Sequence, residues 1–435
     1  MPRILFLAYH FPPVGGAGVQ RNAKFAKYLP EFGYDSIVVT GPGRSASRWT
    51  PEDDTLLGDV PDGTLVRRVL GEPPASLTRS ERWLDRRTAW QRWWIDGVLR
   101  AGRAFADEID LIYVGMAPYE SAEAAAQLAR ELGKPWVADL QDPWALDEMW
   151  IYPTGIHRRR DLARMRRLLG TADAIVMNTG ESMRKVLARC PELRDKLMVA
   201  VPNGYDAADF EAELPTRIDG KFVIAHTGYL HTALGRHHRK TARARRLLGG
   251  ANGRVDILTR SHVFLLDAID RLIAEQPSLE DVIELHLAGV TSPEDVEAGR
   301  HPCVRFLGYV PHEQSVRLIR TADLLFLPLH DLPPGERLSI VPGKTYEYLA
   351  SGTPILAAVP DGDARDLLAS SGRALLARPS DSRAMADHLG ARLHKPARAH
   401  RPAADFPWLE RRHLTGELAA VFDRVLRGGA LELAA

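Results

Sequence analysis

The sequence predicts an α/β protein built of two doubly wound domains that face each other across a cleft. Three observations carry this expectation. Short, unbroken apolar runs of strand length alternate with segments of helical period through most of the 435 residues. Strands buried on both faces read as continuous apolar runs, and helices between them imply a parallel sheet. The alternation then stops in an acidic stretch holding Pro215 and restarts at Phe222, as a second domain would.

In the first half, strands are expected at Ile4–Ala8, Ser36–Val39, Leu111–Val114, Trp136–Ala138, Ala174–Met177 and Leu197–Val201. The helical periods between them fall at Val19–Leu29, Ser121–Leu132, Asp161–Leu169 and Glu181–Ala188. In the second half, Phe222–Ala225, Leu285–Ala288, Val304–Leu307, Leu324–Leu327 and Ile355–Ala358 read as strands. Val263–Ala274, Glu313–Ile319, Lys344–Ala350 and Arg383–Leu393 read as helices, and Leu409–Leu426 as a last amphipathic helix. The expected division is a first domain over 1–205, a linker over 206–220, a second domain over 221–400 and a helical segment over 401–435 that packs back on the first domain. Open parallel sheets bind ligands at the carboxyl ends of their strands, so two facing sheets make a deep site.

Composition narrows the class. Hydrophobic residues make up 45% and charged residues 26%, which excludes a disordered or fibrous chain. The longest apolar runs, such as Leu324–Leu329, fall far short of the roughly 18 residues of a spanning helix. The chain enters a strand almost at its first residue, so no signal peptide is expected. Cys190 and Cys303 lie far apart with no metal-ligand spacing, which argues against disulfides and zinc and for a reducing cytoplasm. With 57 basic against 56 acidic residues, a nucleic-acid partner is not expected. Two segments, 157–167 and 236–246, are strongly basic, and each reads first as a solvated helix face.

Two loops could carry chemistry. The first turn, His10-Phe-Pro-Pro-Val-Gly-Gly-Ala-Gly, offers Gly15 and Gly16 for close approach of backbone to a phosphate at a helix start. A tight turn that merely needs glycines fits equally, and the spacing is not that of the dinucleotide fingerprint. The second is Ser339-Ile-Val-Pro-Gly-Lys-Thr-Tyr-Glu-Tyr-Leu-Ala-Ser-Gly-Thr-Pro-Ile. Gly343 and Lys344 open a helix whose free amides and ammonium suit phosphate oxygens. Glu347, one turn on, can accept two bonds from vicinal hydroxyls such as those of a ribose.

Together with Val201-Pro-Asn-Gly-Tyr-Asp, these segments resemble a family-4-type retaining glycosyltransferase (glycosyl transferase group 1) of the GT-B fold. Asp139-Leu-Gln-Asp-Pro-Trp is similar to a motif of one branch of that family. The resemblance covers nearly the whole chain in order. It implies two Rossmann-like domains, the first binding a hydroxyl acceptor and the second a nucleoside diphosphate sugar. It implies no metal and no cofactor besides that co-substrate, and no DxD stands in a plausible strand-end loop. The family's paired acidic motif places its second Glu on Glu347 and its first on Ser339, which carries no charge. Of the family's two basic positions on the diphosphate, Arg260 matches one, while Tyr229 stands at the other. The segment 231–258 reads as an insertion, and its Arg236 is a candidate for the missing cation.

Asp139, Asp142 and His10 are the candidate catalytic residues, placed at strand ends where a developing alkoxide needs a proton acceptor. The competing readings are a helix cap for Asp142, since Asp-Pro often opens helices, and a core histidine for His10. The segment Arg82–Arg100 places Trp83, Trp90, Trp94 and Val98 on one helical face among arginines. Such a face either packs on the first domain or is a lip that meets a membrane surface, at its inner face, or a lipid-linked acceptor. The function expected is sugar transfer. The alternatives are a nucleotide-sugar epimerase of the same architecture and a non-catalytic partner subunit, the latter suggested by Ser339 and Tyr229.

Overall fold

The computed structural model describes residues 1–43, 51–71, 73–74, 88–213, 220–250, 254–393 and 405–428. The chain divides into two compact units, Met1–Asn203 with Trp408–Ala435, and Gly204–Pro407.

The first unit is a seven-stranded parallel sheet. Its strands are β1 (Arg3–Ala8), β2 (Asp35–Thr40), β3 (Leu65–Arg68), β4 (Leu111–Gly115), β5 (Trp136–Leu140), β6 (Ala174–Met177) and β7 (Leu197–Ala200), in the order β3-β2-β1-β4-β5-β6-β7. The order reverses between β1 and β4, where a doubly wound sheet opens its crevice. Side chains of β1 alternate between two cores, as period-two geometry requires. Leu5 and Leu7 face the helices Ala89–Ala104, Ser121–Leu132, Gly155–Leu169 and Gly180–Arg189. Ile4 and Phe6 face Phe25 of the helix Ala17–Tyr28 and Leu414, Leu418 and Phe422 of the last helix, Arg411–Leu426. Tyr34 fastens that last helix by donating to Asp423 at 2.5 Å.

The second unit repeats the plan with six parallel strands. They are β8 (Phe222–Thr227), β9 (Ile283–Ala288), β10 (Val304–Gly308), β11 (Leu324–Pro328), β12 (Ile355–Ala358) and β13 (Ala374–Ala377), ordered β10-β9-β8-β11-β12-β13. Leu265 and Ile269 of the helix Val263–Glu275 and Met385 and Leu389 of the helix Ser382–Leu393 cover one face. The reversal here lies between β8 and β11.

Two edge strands differ from the sequence expectation. β3 is half-exposed and ends in two arginines, and β13 is a four-residue run of Ala and Leu, so neither stands out as a buried strand. The segment read as an insertion folds largely as the helix Thr232–Leu247. Arg236 on that helix pairs with Glu297 at 2.5 Å and is not held ready for a diphosphate.

The tryptophan face is a second correction. Trp94 and Val98 are fully buried, and Trp94 Nε1 donates to Ser121 Oγ at 3.0 Å. Trp90 packs edge-on against Tyr9, with ring centroids 5.3 Å apart. This face of the helix Ala89–Ala104 is core and cannot lie on a membrane. Trp83, with Arg82, Arg86 and Arg87, lies outside the described residues. No helix among the described residues is long and apolar enough to cross a membrane.

Candidate functional site

The strand-end site of the second unit is built from β8, the turn after it and the helix Gly343–Ser351. β8 ends in His226 and Thr227, both buried. His226 Nδ1 donates to the carbonyl of Phe326 at 2.9 Å, so its Nε2 is left as an acceptor. Lys344 Nζ stands 3.3 Å from that Nε2. Burial, and then the Lys344 charge, hold the imidazole well below its usual pKa, so it is neutral. Burial also drives the Lys344 amine down to about 7, helped by Arg260 and opposed by Glu347. Lys344 makes no ion pair with a carboxylate among the described residues.

Gly228 makes this approach possible. Its φ of +99° is a left-handed value that suits glycine, and a Cβ there would stand 2.6 Å from Lys344 Nζ. On the other side of the turn, Tyr348 anchors the helix to the sheet by accepting from Thr227 N at 2.9 Å. The helix begins after Pro342, which needs no amide of its own; Thr345 N donates back to the Pro342 carbonyl at 3.0 Å, and the Gly343 and Lys344 N–H groups have no intrahelical partners. A cation, Lys344, and the positive helix end therefore occupy the same corner.

Glu347 follows on the same helix with its side chain largely buried. His312, the first residue of the helix His312–Thr321, lies 4.0 Å from Glu347 through Nδ1 and 2.9 Å from Asp209 through Nε2. The imidazole is thus set between two carboxylates, one of them on the short turn Ala207–Phe210. Ser339 is fully buried beside Leu338, which donates to the carbonyl of Asp361 at 2.7 Å. Arg260 closes the turn Ile257–Thr259 at the start of the next helical segment, near enough to Lys344 to depress its pKa. So Arg260, Lys344, Gly343 and Glu347 share this unit's strand-end region. His226, His312 and Asp209 join them, and sequence reasoning singled out none of the three. The only local signal was the His-Thr-Gly turn after a first strand.

In the first unit the expected residues scatter. Asp139 is fully buried at the end of β5. Arg21 donates to its two oxygens from Nη2 and Nε, both at 2.8 Å, and Tyr113 donates to it at 2.5 Å. The same guanidinium donates to the Pro202 carbonyl at 3.0 Å and lies 4.8 Å from the Phe25 ring centre. A carboxylate held this way is not open to an acceptor hydroxyl, so the expectation of a catalytic Asp139 is corrected to a structural anchor. Asp142 is half-buried in the loop beyond. It caps no α-helix: the following turn, Trp144–Leu146, has no side-chain cap. Trp144 adopts φ +49°, is buried, and stacks on Tyr119 with ring centres 4.8 Å apart. Burial lowers the His10 pKa to about 4, leaving a neutral ring whose backbone carbonyl accepts from Asn22 at 2.9 Å.

The glycine turn also differs from expectation. Gly15 N donates to the Pro51 carbonyl at 2.6 Å, so this amide is committed within the fold and not offered to a phosphate. Gly16 precedes the helix Ala17–Tyr28 at φ +104°, which explains the glycine without a ligand.

Residues 250–395, which carry Arg260, Ser339, Gly343, Lys344 and Glu347, match the family model "Glycosyl transferases group 1". This stretch is a group 1 glycosyl transferase domain. A D-inositol 3-phosphate glycosyltransferase of Geodermatophilus obscurus is 31% identical over 137 residues. That match covers 27% of this chain and 29% of the relative, so the chain spans under a third of that relative's length. Among solved structures, Anabaena HepE in complex with UDP and glucose superposes with a TM-score of 0.62 at 16% identity, over 97% of this chain and 100% of that one. The α,α-trehalose 6-phosphate synthase of Burkholderia multivorans gives a TM-score of 0.58 at 16% identity, over 99% and 100%. At these identities the likeness is one of fold, and that fold is GT-B.

Proposed function

We propose that this chain is a glycosyltransferase that moves a sugar from a nucleoside diphosphate sugar to a hydroxyl acceptor, with retention at the transferred carbon. The observation that carries the reading is the corner where Lys344 and the helix end at Gly343 meet, with Glu347 one turn later. Arg260 and Lys344, with first-turn amides, are suited to the charge that builds on a departing diphosphate. Such preorganised donors stabilise the leaving group where it forms. Glu347 has the acceptor oxygens that a ribose hydroxyl pair requires. The family match over 250–395 supports this assignment, and retention rests on the family resemblance alone. In this reaction type the acceptor oxygen attacks on the leaving-group side, and the departing phosphate oxygen takes its proton, so no protein nucleophile is required. His10 and Asp142 remain the residues of the first unit suited to contact an acceptor. The two cysteines are free and buried, which fits a reducing cytoplasm.

The test is a thermal-shift screen of nucleoside diphosphate sugars, followed by product analysis with an acceptor panel. A donor at 100 times its Kd stabilises by about 2.7 kcal/mol. Transfer of the sugar supports the reading. Release of an epimerised sugar nucleotide without any acceptor makes the protein an epimerase instead. Tight binding without turnover across the panel makes it a non-catalytic partner.

A further inference from the structure

The helix Thr232–Leu247 takes no part in the site described above, and the family match begins only after it, at 250. It holds six Lys and Arg residues and no acidic residue. One face packs down. Gly235 and His238 are buried, and a Cβ at Gly235 would stand 2.4 Å from Leu258 Cα. The opposite face is defined by spacing. Arg236, Lys240, Arg243 and Leu247 follow at steps of four, three and four, which aligns them along one side of a helix.

Some of this charge is neutralised locally. Arg236 pairs with Glu297, and Arg239 pairs with Asp256 at 2.6 Å. Lys240, Arg243 and Arg246 are exposed and make no ion pair among the described residues. At the end of the stripe Leu247 is 90% exposed, more than any other large apolar side chain among the described residues, and Leu248 is 54% exposed. A soluble surface gains nothing by holding two adjacent leucines in water beside three cations.

We propose that this helix face is a docking surface for an anionic lipid bilayer. Lys240 and Arg243 on the stripe supply attraction to lipid headgroups and Leu247 enters the acyl boundary, while Arg246 and Leu248 flank the stripe, each about 100° round the helix from Leu247. A nucleic acid would be drawn to the same cations but would leave the leucines in water. The pair of exposed leucines therefore favours lipid. The proposal stands apart from the sugar-transfer reading, since neither uses the other's residues.

The test uses the full chain with vesicles of phosphatidylcholine, alone or mixed with phosphatidylglycerol, in co-sedimentation at rising salt. Binding is expected only to the mixed vesicles and is expected to weaken with salt, because screening shortens the reach of the charges to about 8 Å at physiological ionic strength. The triple variant Lys240→Ala, Arg243→Ala, Arg246→Ala should bind on the order of 100-fold more weakly. The charge-keeping pair Arg243→Lys with Arg246→Lys should bind as the parent does. Leu247→Ser should weaken vesicle binding several-fold and leave heparin binding unchanged. All these side chains are exposed, so the melting temperature serves as the check on folding. No preference for anionic vesicles at low salt overturns the proposal. So does a triple variant that binds as well as the parent. If Leu247→Ser leaves vesicle binding unchanged, the helix is a general polyanion surface, and the lipid assignment is wrong.

Discussion

The amine of Lys344 stands 3.3 Å from Nε2 of a neutral, buried His226, and its pKa lies near 7 in place of the ordinary 10.5. A lysine so placed titrates within the working pH range, and a bound diphosphate would pull its proton back. Between about pH 7 and 10.5 the unfolded chain holds a proton that the folded chain has lost, so stability rises with pH across that window. Anion binding runs the other way. Affinity for a nucleoside diphosphate should fall as pH rises from 7 to 9, by up to about tenfold per pH unit. Calorimetry at pH 8 in buffers of different ionisation enthalpy should show net proton uptake on binding. A pH-independent affinity with no proton uptake would remove Lys344 from the diphosphate.

Glu347→Gln keeps the shape of the side chain and removes its charge beside His312. If Glu347 holds a ribose, the loss is about 1.5–3 kcal/mol, or roughly ten- to a hundred-fold in affinity for the free nucleoside diphosphate. Calorimetry reads this directly. Equal affinity in parent and variant would show that the carboxylate only positions His312.

Arg260→Ala should weaken binding of the nucleoside diphosphate far more than binding of the nucleoside. Titrating both ligands into both proteins separates the two effects. Equal loss for both ligands makes Arg260 a support of the turn Ile257–Thr259 and not a diphosphate ligand.

Asp139→Asn leaves the Arg21 guanidinium buried without its counter-charge. Breaking a buried pair from one side typically costs about 3–5 kcal/mol. Urea unfolding should show that loss. A variant of parental stability that has lost turnover would restore Asp139 to the chemistry and remove the structural reading.

The apolar runs made β1, β2 and β4 to β12 legible from sequence, most clearly those buried on both faces, which have no polar side to hide them. β3 and β13 were not, because each is a four-residue edge strand, one half-exposed and ending in two arginines and the other a short run of Ala and Leu, whereas the edge strands β7 and β10 keep a largely apolar run. The helix Thr232–Leu247 carries too little apolar period to declare itself. In the site, Lys344 and Glu347 were legible because one helical turn relates them. His226, His312 and Asp209 were not, because each meets its partner across the fold: 118 residues separate His226 from Lys344, and 103 separate His312 from Asp209. Asp139 was misjudged for the same reason, its partner Arg21 lying 118 residues away.

Trp94→Ala tests the corrected role of the tryptophan face. Trp94 is fully buried and bonded to Ser121, so truncation should cost about 3–5 kcal/mol. Soluble yield and the urea midpoint should both fall. An unchanged midpoint would return the ring to the surface.

The last helix, Arg411–Leu426, places Phe422 in the core of the first unit, although 219 residues separate it from the end of that unit's main stretch at Asn203 in the sequence (422 − 203). The second unit is continuous and can close as soon as it leaves the ribosome. The first, though made earlier, waits with Phe25 and Tyr113 unshielded until the final helix emerges. At about 5–20 residues per second, that interval is on the order of tens of seconds. The nascent first unit is therefore the stretch that chaperones would be expected to hold, and the two units are completed in the reverse of the order in which their synthesis begins.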